Sequence, residues 1–195
     1  LDKLKLNDAA LTFTKVSSAA LGFGFRCGFL GLLHLDIVQE RLEREFGMSL
    51  LLSAPTVQYD VTLTNGEELV VDNPSFFPDA GDVEVVEEPY IKASIMIPEK
   101  FLGAVMELCR EQRGEKTQFD YLAVGRVEVT SEMPLAEVLF DFYDRLKTVT
   151  RGYGSFDYEA LDYRVTDIVK VDIMVNKERV DALSQLVHRE KARFR

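Results

Sequence analysis

The stretch from Gly22 to Gly47, GFGFRCGFLGLLHLDIVQERLEREFG, leaves this chain few ways to fold. Leu30, Leu33, His34, Ile37, Val38, Leu42 and Phe46 recur at three- and four-residue spacing, which puts them on one helix face. Asp36, Gln39, Glu40, Glu43 and Arg44 fall opposite. Gly47 stands where a left-handed C-cap belongs. Upstream, Leu21, Phe23 and Phe25 alternate with Gly22, Gly24 and Arg26, the period of a strand with one apolar and one bare face. The glycines make no dinucleotide fingerprint, because Cys27 stands where that pattern needs glycine. Phe23, Phe25 and Phe29 would also obstruct a pyrophosphate, and no glycine-rich loop ending in Gly-Lys-Ser/Thr occurs. The bare face is expected to serve close strand–helix packing.

Around this stretch the chain reads as more than one unit. Leu1 to Ala10 looks like the end of a helix, Leu11 to Val16 a strand, and Ser49 to Ser53 a short buried strand ended by Pro55. Val57, Tyr59, Val61 and Leu63 alternate, Asn65-Gly66 suits a type I′ turn, and Leu69 and Val71 return as a hairpin. Asp72 to Glu88 carries Pro74, Pro78, Gly81 and many acids, and reads as an exposed linker. Then come a strand at Ile91–Ile97, a helix at Glu99–Arg113 capped by Gly114, and strands at Thr117–Leu122 and around Val127–Ser131. A helix from Pro134 to Thr150, with Pro134 at its first position, and a strand at Ser155–Tyr163 follow.

Strand–helix–strand–strand–helix–strand is the ferredoxin-like βαββαβ unit, with both helices on one face of an antiparallel sheet. The first region fits the same plan without its first strand and most of its first helix. Residues 168–187 read as a hairpin opening a third region. The expected class is therefore α+β. It comprises two ferredoxin-like α/β sandwiches, the first N-terminally truncated, and a closing β-hairpin. The expected boundaries are 1–72, an acidic linker at 73–88, 89–166 and 167–195.

Charge is uneven. The net charge is −10, which by itself opposes nucleic-acid binding. Residues 1–139 hold 12 Lys/Arg against 23 Asp/Glu, whereas residues 140–195 hold 11 against 10. Nine acids and no base lie between Val57 and Tyr90. No apolar run approaches the ~18 residues of a membrane span, and LDKLKLNDAA reads as neither a secretion signal nor a transit peptide. Cys27 and Cys109 lack metal-like spacing and read as reduced, buried thiols. His34 and His188 are isolated, and His34 reads as a packed or hydrogen-bonded helix residue. No local signature of a catalytic serine, cysteine or zinc site occurs, so no catalytic, cofactor or metal residue is assigned.

The segment best suited to a partner is RLKTVTRGYGSF, Arg145 to Phe156. Arg145, Lys147 and Arg151 gather at a helix end, where cations meet the negative end of the dipole. That structural role stays open beside a binding role. Gly152 and Gly154 let backbone approach a partner, and Tyr153 between them offers a stacking face to an RNA base.

GFGFRCGFLGLLHLDIVQERLEREF, LAEVLFDFYDRLKTVTRGYGSFDYE and VDIMVNKERVDALSQLVHR resemble the elongation factor 4 (LepA) family of translational GTPases. The likeness runs over essentially all of the chain and takes in the family's third and fifth domains and the start of its C-terminal domain. It implies a ribosome-binding portion of a factor that acts on translocated or stalled ribosomes. It places Arg145, Lys147, Arg151, Gly152, Tyr153 and Gly154 near the GTPase-associated centre, against rRNA and ribosomal proteins. Implied further partners are tRNA, through the rest of the C-terminal domain, and the parent's own GTPase domain, which binds GTP and magnesium. The implied location is the bacterial cytoplasm, with peripheral association at the inner membrane. A second reading, a regulatory pair of ferredoxin-like domains binding a small ligand, needs no ribosome.

Overall fold

The computed structural model describes residues 1–18, 22–52, 56–139, 141–175 and 177–192. The chain divides into two compact units, residues 1–54 with 172–184 and residues 55–171 with 185–195.

In the first unit a short helix α1 (Asp2–Lys5) precedes an antiparallel ribbon of β1 (Thr12–Ser18) and β2 (Gly22–Gly28), followed by helix α2 (Leu32–Phe46). The expected ribbon and amphipathic helix are present. Gly47 ends α2 with φ +62, the left-handed cap its position predicts. Leu4, Leu11, Val38 and Leu42 form the core, with Leu1, Phe13, Cys27, Phe29 and Leu50 packed on it. His34 is hydrogen-bonded, as expected: Nε2 lies 2.7 Å from Asp8 Oδ2, and Nδ1 accepts from the Leu30 N–H at 3.0 Å. That second bond leaves the Nε2 proton for Asp8 and ties the start of α2 to the turn before β1.

Three expectations fail here. Of the predicted helix face only Val38 and Leu42 are buried apolar residues, while Leu33 is 74% exposed and Leu30, Ile37 and Phe46 are exposed as well. A two-stranded ribbon covers only part of a stripe this wide. The buried strand at 49–52 does not form, and Leu51 is 76% exposed; Ser53 and Pro55 lie outside the described residues. The glycines of β2 do not make the helix contact either. Gly28 packs strand against strand, where a Cβ would lie 2.4 Å from Thr12 Oγ1.

The second unit is built on one strand. β5 (Val83–Pro98) pairs with three others, β3 (Tyr59–Leu63), β7 (Arg126–Pro134) and β8 (Ser155–Val165). The sheet runs β4 (Glu68–Val71), β3, β5, β7, β6 (Glu115–Ala123), with β8 on the other side of β5 from β7 over residues 90–96. β5, α3 (Leu102–Glu111), β6, β7, α5 (Phe142–Val149) and β8 give the expected ferredoxin-like order. Both helices cover one face, and Ile91, Ile95, Val105, Leu108, Val129 and Phe142 are among its buried residues. Cys109 sits in this core, where burial pushes its thiol up to about 11.

The linker is the main correction. Residues 83–88 are strand, not exposed connection: Val86, Glu88 and Tyr90 alternate inward, and Asp60–Leu63 pair with Val83–Glu87. The hairpin of residues 59–71 therefore extends this sheet and does not belong with residues 1–54. Pro89, which cannot donate to a ladder, sits at a shift of the β5–β8 register. The hairpin turn also differs from expectation. Only Gly66 has positive φ, Gly66 N–H donates to Leu63 O at 2.8 Å, and Leu63 N–H donates to Glu67 O. That is a type I turn followed by a left-handed glycine.

The predicted helix 134–150 is two pieces, α4 (Leu135–Val138) and α5, with Pro134 as N-cap residue of α4. The expected final hairpin forms from β9 (Ile168–Val175) and β10 (Glu178–His188); Asn176 in its turn lies outside the described residues.

The left-handed residue after α3 is Arg113, at φ +58, and not Gly114. Its guanidinium enters the protein. It donates to both Glu88 oxygens, at 2.7 and 3.0 Å, and through Nε to Glu137 at 3.1 Å. Lys191 Nζ donates to the other Glu137 oxygen at 2.5 Å and to Gln112 at 2.8 Å. Glu88 is 0% exposed and Glu137 nearly so. Removing one partner leaves a buried charge, which typically costs about 3–5 kcal/mol. Arg113→Met should therefore lower unfolding free energy by about that amount in denaturant melts. Arg110→Met, which breaks an exposed pair with Glu107, should change it by less than ~1 kcal/mol.

The same cluster sets an acid limit. Burial raises the Glu137 carboxyl, but the Lys191 hydrogen bond and the Lys191 and Arg113 charges outweigh it and hold the group below its usual range. A carboxylate lowered on folding adds stability above its unfolded value and loses it as pH falls through the folded value. Lys191→Met removes the leading favourable contribution, so the acid-unfolding midpoint should move to higher pH in a pH titration followed by circular dichroism.

Candidate nucleic-acid interface

The end of α5 is pinned before it is exposed. Arg151 N–H donates to Thr148 O at 3.2 Å and Gly152 N–H to Lys147 O at 2.7 Å, the paired bonds of a Schellman cap. Thr150 is fully buried; its hydroxyl donates to Leu146 O at 2.7 Å and accepts from Gly154 N–H at 2.9 Å. Lys147 Nζ donates to Gly154 O at 2.7 Å and lies 5.2 Å from the Tyr143 ring centroid. A Cβ on Gly154 would stand 2.9 Å from Thr150 Oγ1, so glycine is required by space.

This sorts the six residues singled out in the sequence. Arg145 is ion-paired with Glu111, Lys147 holds the loop, and Gly154 is buried beneath it. Arg151, Gly152 and Tyr153 face solvent. Tyr153 is 69% exposed, and among the described residues the Arg151 guanidinium has no hydrogen-bond or ion-pair partner. Arg151 adopts φ +52, a conformation costly to a residue with a Cβ.

The structure adds residues that the sequence did not mark. The Phe101 ring stacks on Tyr153 at 6.5 Å and 20°. Lys100 Nζ lies 4.9 Å from the Phe101 centroid and 5.8 Å from that of Tyr153. Phe101 is partly buried against the unit's core, not inside a helix as its spacing suggested; it ends a 3₁₀ turn before α3. The turn of β6 and β7 lies at the same end: Pro98 pairs with Arg126, and Glu99 N–H donates to Gly125 O at 3.0 Å. Tyr121 donates to Glu99 at 3.1 Å, which raises the phenol above its ordinary range. Lys100, Arg126 and Arg151 thus carry charge without an anionic partner among the described residues.

No group of three His, Cys, Asp or Glu among the described residues is placed to hold a metal. The cavity beside Glu88, Arg113 and His188 measures about 10 Å³, the space of one water.

Residues 85–174 match the family described as Elongation factor G C-terminus. Along its whole length the chain is 67% identical to elongation factor 4 of Desulfotalea psychrophila and 66% identical to an elongation factor 4 of Rhodopirellula baltica. Over its whole length the chain is thus similar to elongation factor 4 proteins. It spans 33% of each of those two relatives. The elongation factor 4 of Treponema denticola is 60% identical over 98% of the chain, which covers 32% of that relative. A solved structure of a Thermus thermophilus protein shares the fold at 18% identity, with a TM-score of 0.56 over 85% of this chain and 37% of that one. This similarity agrees with the resemblance carried by the three quoted segments.

Two substitutions test this cap as architecture. Arg151→Gly removes the left-handed penalty of ~1 kcal/mol and a dipole contribution of about 0.3–1 kcal/mol. Thermal melts should show stability unchanged or slightly raised. Gly154→Ala forces Thr150 from its double hydrogen bond and should cost about 1–3 kcal/mol.

Proposed function

We propose that this chain is the ribosome-binding portion of an elongation factor 4, presenting the Lys100–Phe101–Arg126–Arg151–Tyr153 end of its second unit to ribosomal RNA. In this reading residues 89–166 correspond to the family's fifth domain, residues 1–54 carry its third, and 167–195 open its C-terminal domain. The parent's GTPase domain supplies guanine nucleotide and magnesium chemistry. This portion relays ribosome contact near the GTPase-associated centre to that domain, and tRNA meets the remainder of the C-terminal domain.

The observation that carries the proposal is Lys100 over the stacked Phe101 and exposed Tyr153, with Arg151 two residues before Tyr153 and Arg126 paired opposite Pro98, none of the three with an anionic partner among the described residues, in a protein whose net charge is −10. Phosphate contacts by lysine and arginine release counterions, so they weaken steeply with salt. Structural duty accounts for Arg145 and Lys147, which hold internal partners. It leaves Arg126 and Arg151 without such a use, and Lys100 with only the two rings it lies over.

The test is co-sedimentation of the complete factor with 70S ribosomes across a salt series. The double variant Lys100→Gln, Arg151→Gly should bind roughly tenfold or more weakly, with a salt slope shallower by about one for each phosphate it no longer neutralises. GTP hydrolysis by the factor without ribosomes should be unchanged. Equal affinity and equal slope would reduce this end to architecture.

A further inference from the structure

We infer that Tyr153 is the landing face for a single unpaired RNA base and that Arg151 takes the phosphate beside it, an inference that rests on the RNA-facing role proposed above. The argument begins from a comparison inside the unit. α3 and α5 end alike: an Arg–Gly pair closes each helix, with the arginine left-handed at φ +58 and +52. The capping bonds match as well, Gly114 N–H to Cys109 O at 2.8 Å and Gly152 N–H to Lys147 O at 2.7 Å. Glycine would serve either position at less cost. At Arg113 the reason for an arginine is visible, since its guanidinium binds Glu88 and Glu137. Arg151 bears the same backbone cost with no partner among the described residues. A monovalent, planar, multi-donor cation held in that state is suited to an anion from outside, and phosphate fits its donors.

Tyr153 follows two residues later on a loop already ordered by Thr150 and Lys147. Phe101, packed against the core, stacks with the ring, and Lys100 Nζ lies 5.8 Å from its centroid, so the ring is held on the unit while most of Tyr153 stays exposed. Little ordering remains to be done on binding, which favours stacking. An exposed, backed aromatic beside phosphate-binding cations selects an unstacked base, because a duplex presents no free base face. The open face of the sheet cannot compete for this role. Its rows carry Asp120 and Glu128 beside Met96, Asp157 beside Ser94, and Glu132 and Glu159 on either side of Lys92, so acids outnumber the one lysine. That surface repels a polyanion and offers no aromatic in those rows.

The experiment titrates the 195-residue chain against a single-stranded RNA octamer, an RNA duplex of the same length, and the octamer carrying one 2-aminopurine. Wild type should bind the octamer more tightly than the duplex and quench the 2-aminopurine on binding. Tyr153→Phe should keep both effects. Tyr153→Leu should lose the quench and roughly five- to a hundredfold in octamer affinity, with duplex binding unchanged. Arg151→Gly should weaken octamer and duplex alike. Melting curves of each variant confirm that it is folded before it is scored. Preference for duplex, no octamer binding by wild type, or an undiminished quench in Tyr153→Leu would overturn the base site. The ribosome assay separates the two proposals: a salt-sensitive loss for Lys100→Gln, Arg151→Gly with no effect of Tyr153→Leu keeps the RNA-facing end and removes the base.

Discussion

The Arg113 guanidinium, held between Glu88 and Glu137, is the interaction on which the second unit depends. Burying a guanidinium and two carboxylates is costly unless each donor and acceptor finds a partner. Here the partners come from four places in the chain: β5 just before its bulge, the end of α3, the short helix α4, and the 3₁₀ turn Arg189–Lys191. None of the four can shift without stranding a charge in the interior. An apolar cluster of equal volume would tolerate sliding, whereas bidentate pairs fix register. The network also balances itself, with two carboxylates against one guanidinium and one ammonium.

β5 is the other half of that constraint. A strand of 16 residues serves two sheets' worth of partners in turn, hairpin β3–β4 at its beginning and the ferredoxin-like strands along the rest. The bulge at Pro89 and Ile91 is where the buried face changes hands. Val86, Glu88 and Tyr90 point inward before it, and Ile91, Ala93, Ile95 and Ile97 after it. Glu88 lies at this crossover, where a carboxylate rather than a valine faces the interior because Arg113 is there to meet it.

The legible parts of the fold are those with clean periods. Ile91–Ile97, the α3 and α5 faces, Gly47 and the β9–β10 hairpin all follow from spacing and turn chemistry in the sequence. The strand at 83–88 does not, because Glu84, Glu87 and Glu88 break its alternation and the surrounding acids suggest solvent; the residue that makes Glu88 a core residue lies 25 positions away. The exposure of Leu33 and Leu51 is equally hidden, since a pattern shows which residues could be buried and not whether enough surface exists to cover them. At the candidate site Arg151 and Tyr153 stand out by charge and glycine flanks. Arg145 and Lys147 share that signal, and only geometry shows that Glu111 and the Gly154 carbonyl have claimed them. Lys100 and Phe101 carry no local signal, for they meet Tyr153 across more than fifty residues of chain.

The acidity of the protein and its proposed polyanionic partner are compatible once distance is considered. Screening at physiological ionic strength limits electrostatic reach to about 8 Å, so a docking surface responds to the charges within it and not to the net −10. Among the acids of the second unit, Glu88 and Glu137 are internal and compensated, Glu107 and Glu111 are paired with arginines on the helices, and Asp120, Glu128, Asp157 and Glu159 are carried on the sheet. Of the cations at the loop end, Lys100 and Arg151 have none of these acids as a partner among the described residues, Arg126 lies two positions from Glu128 along β7, and the acid beside Lys100, Glu99, is hydrogen-bonded to Tyr121. Repulsion over the sheet face and attraction at the loop end act together, because each raises the cost of any orientation but one. In the proposed function, charge placed this way would restrict how the unit approaches RNA before a single base is read.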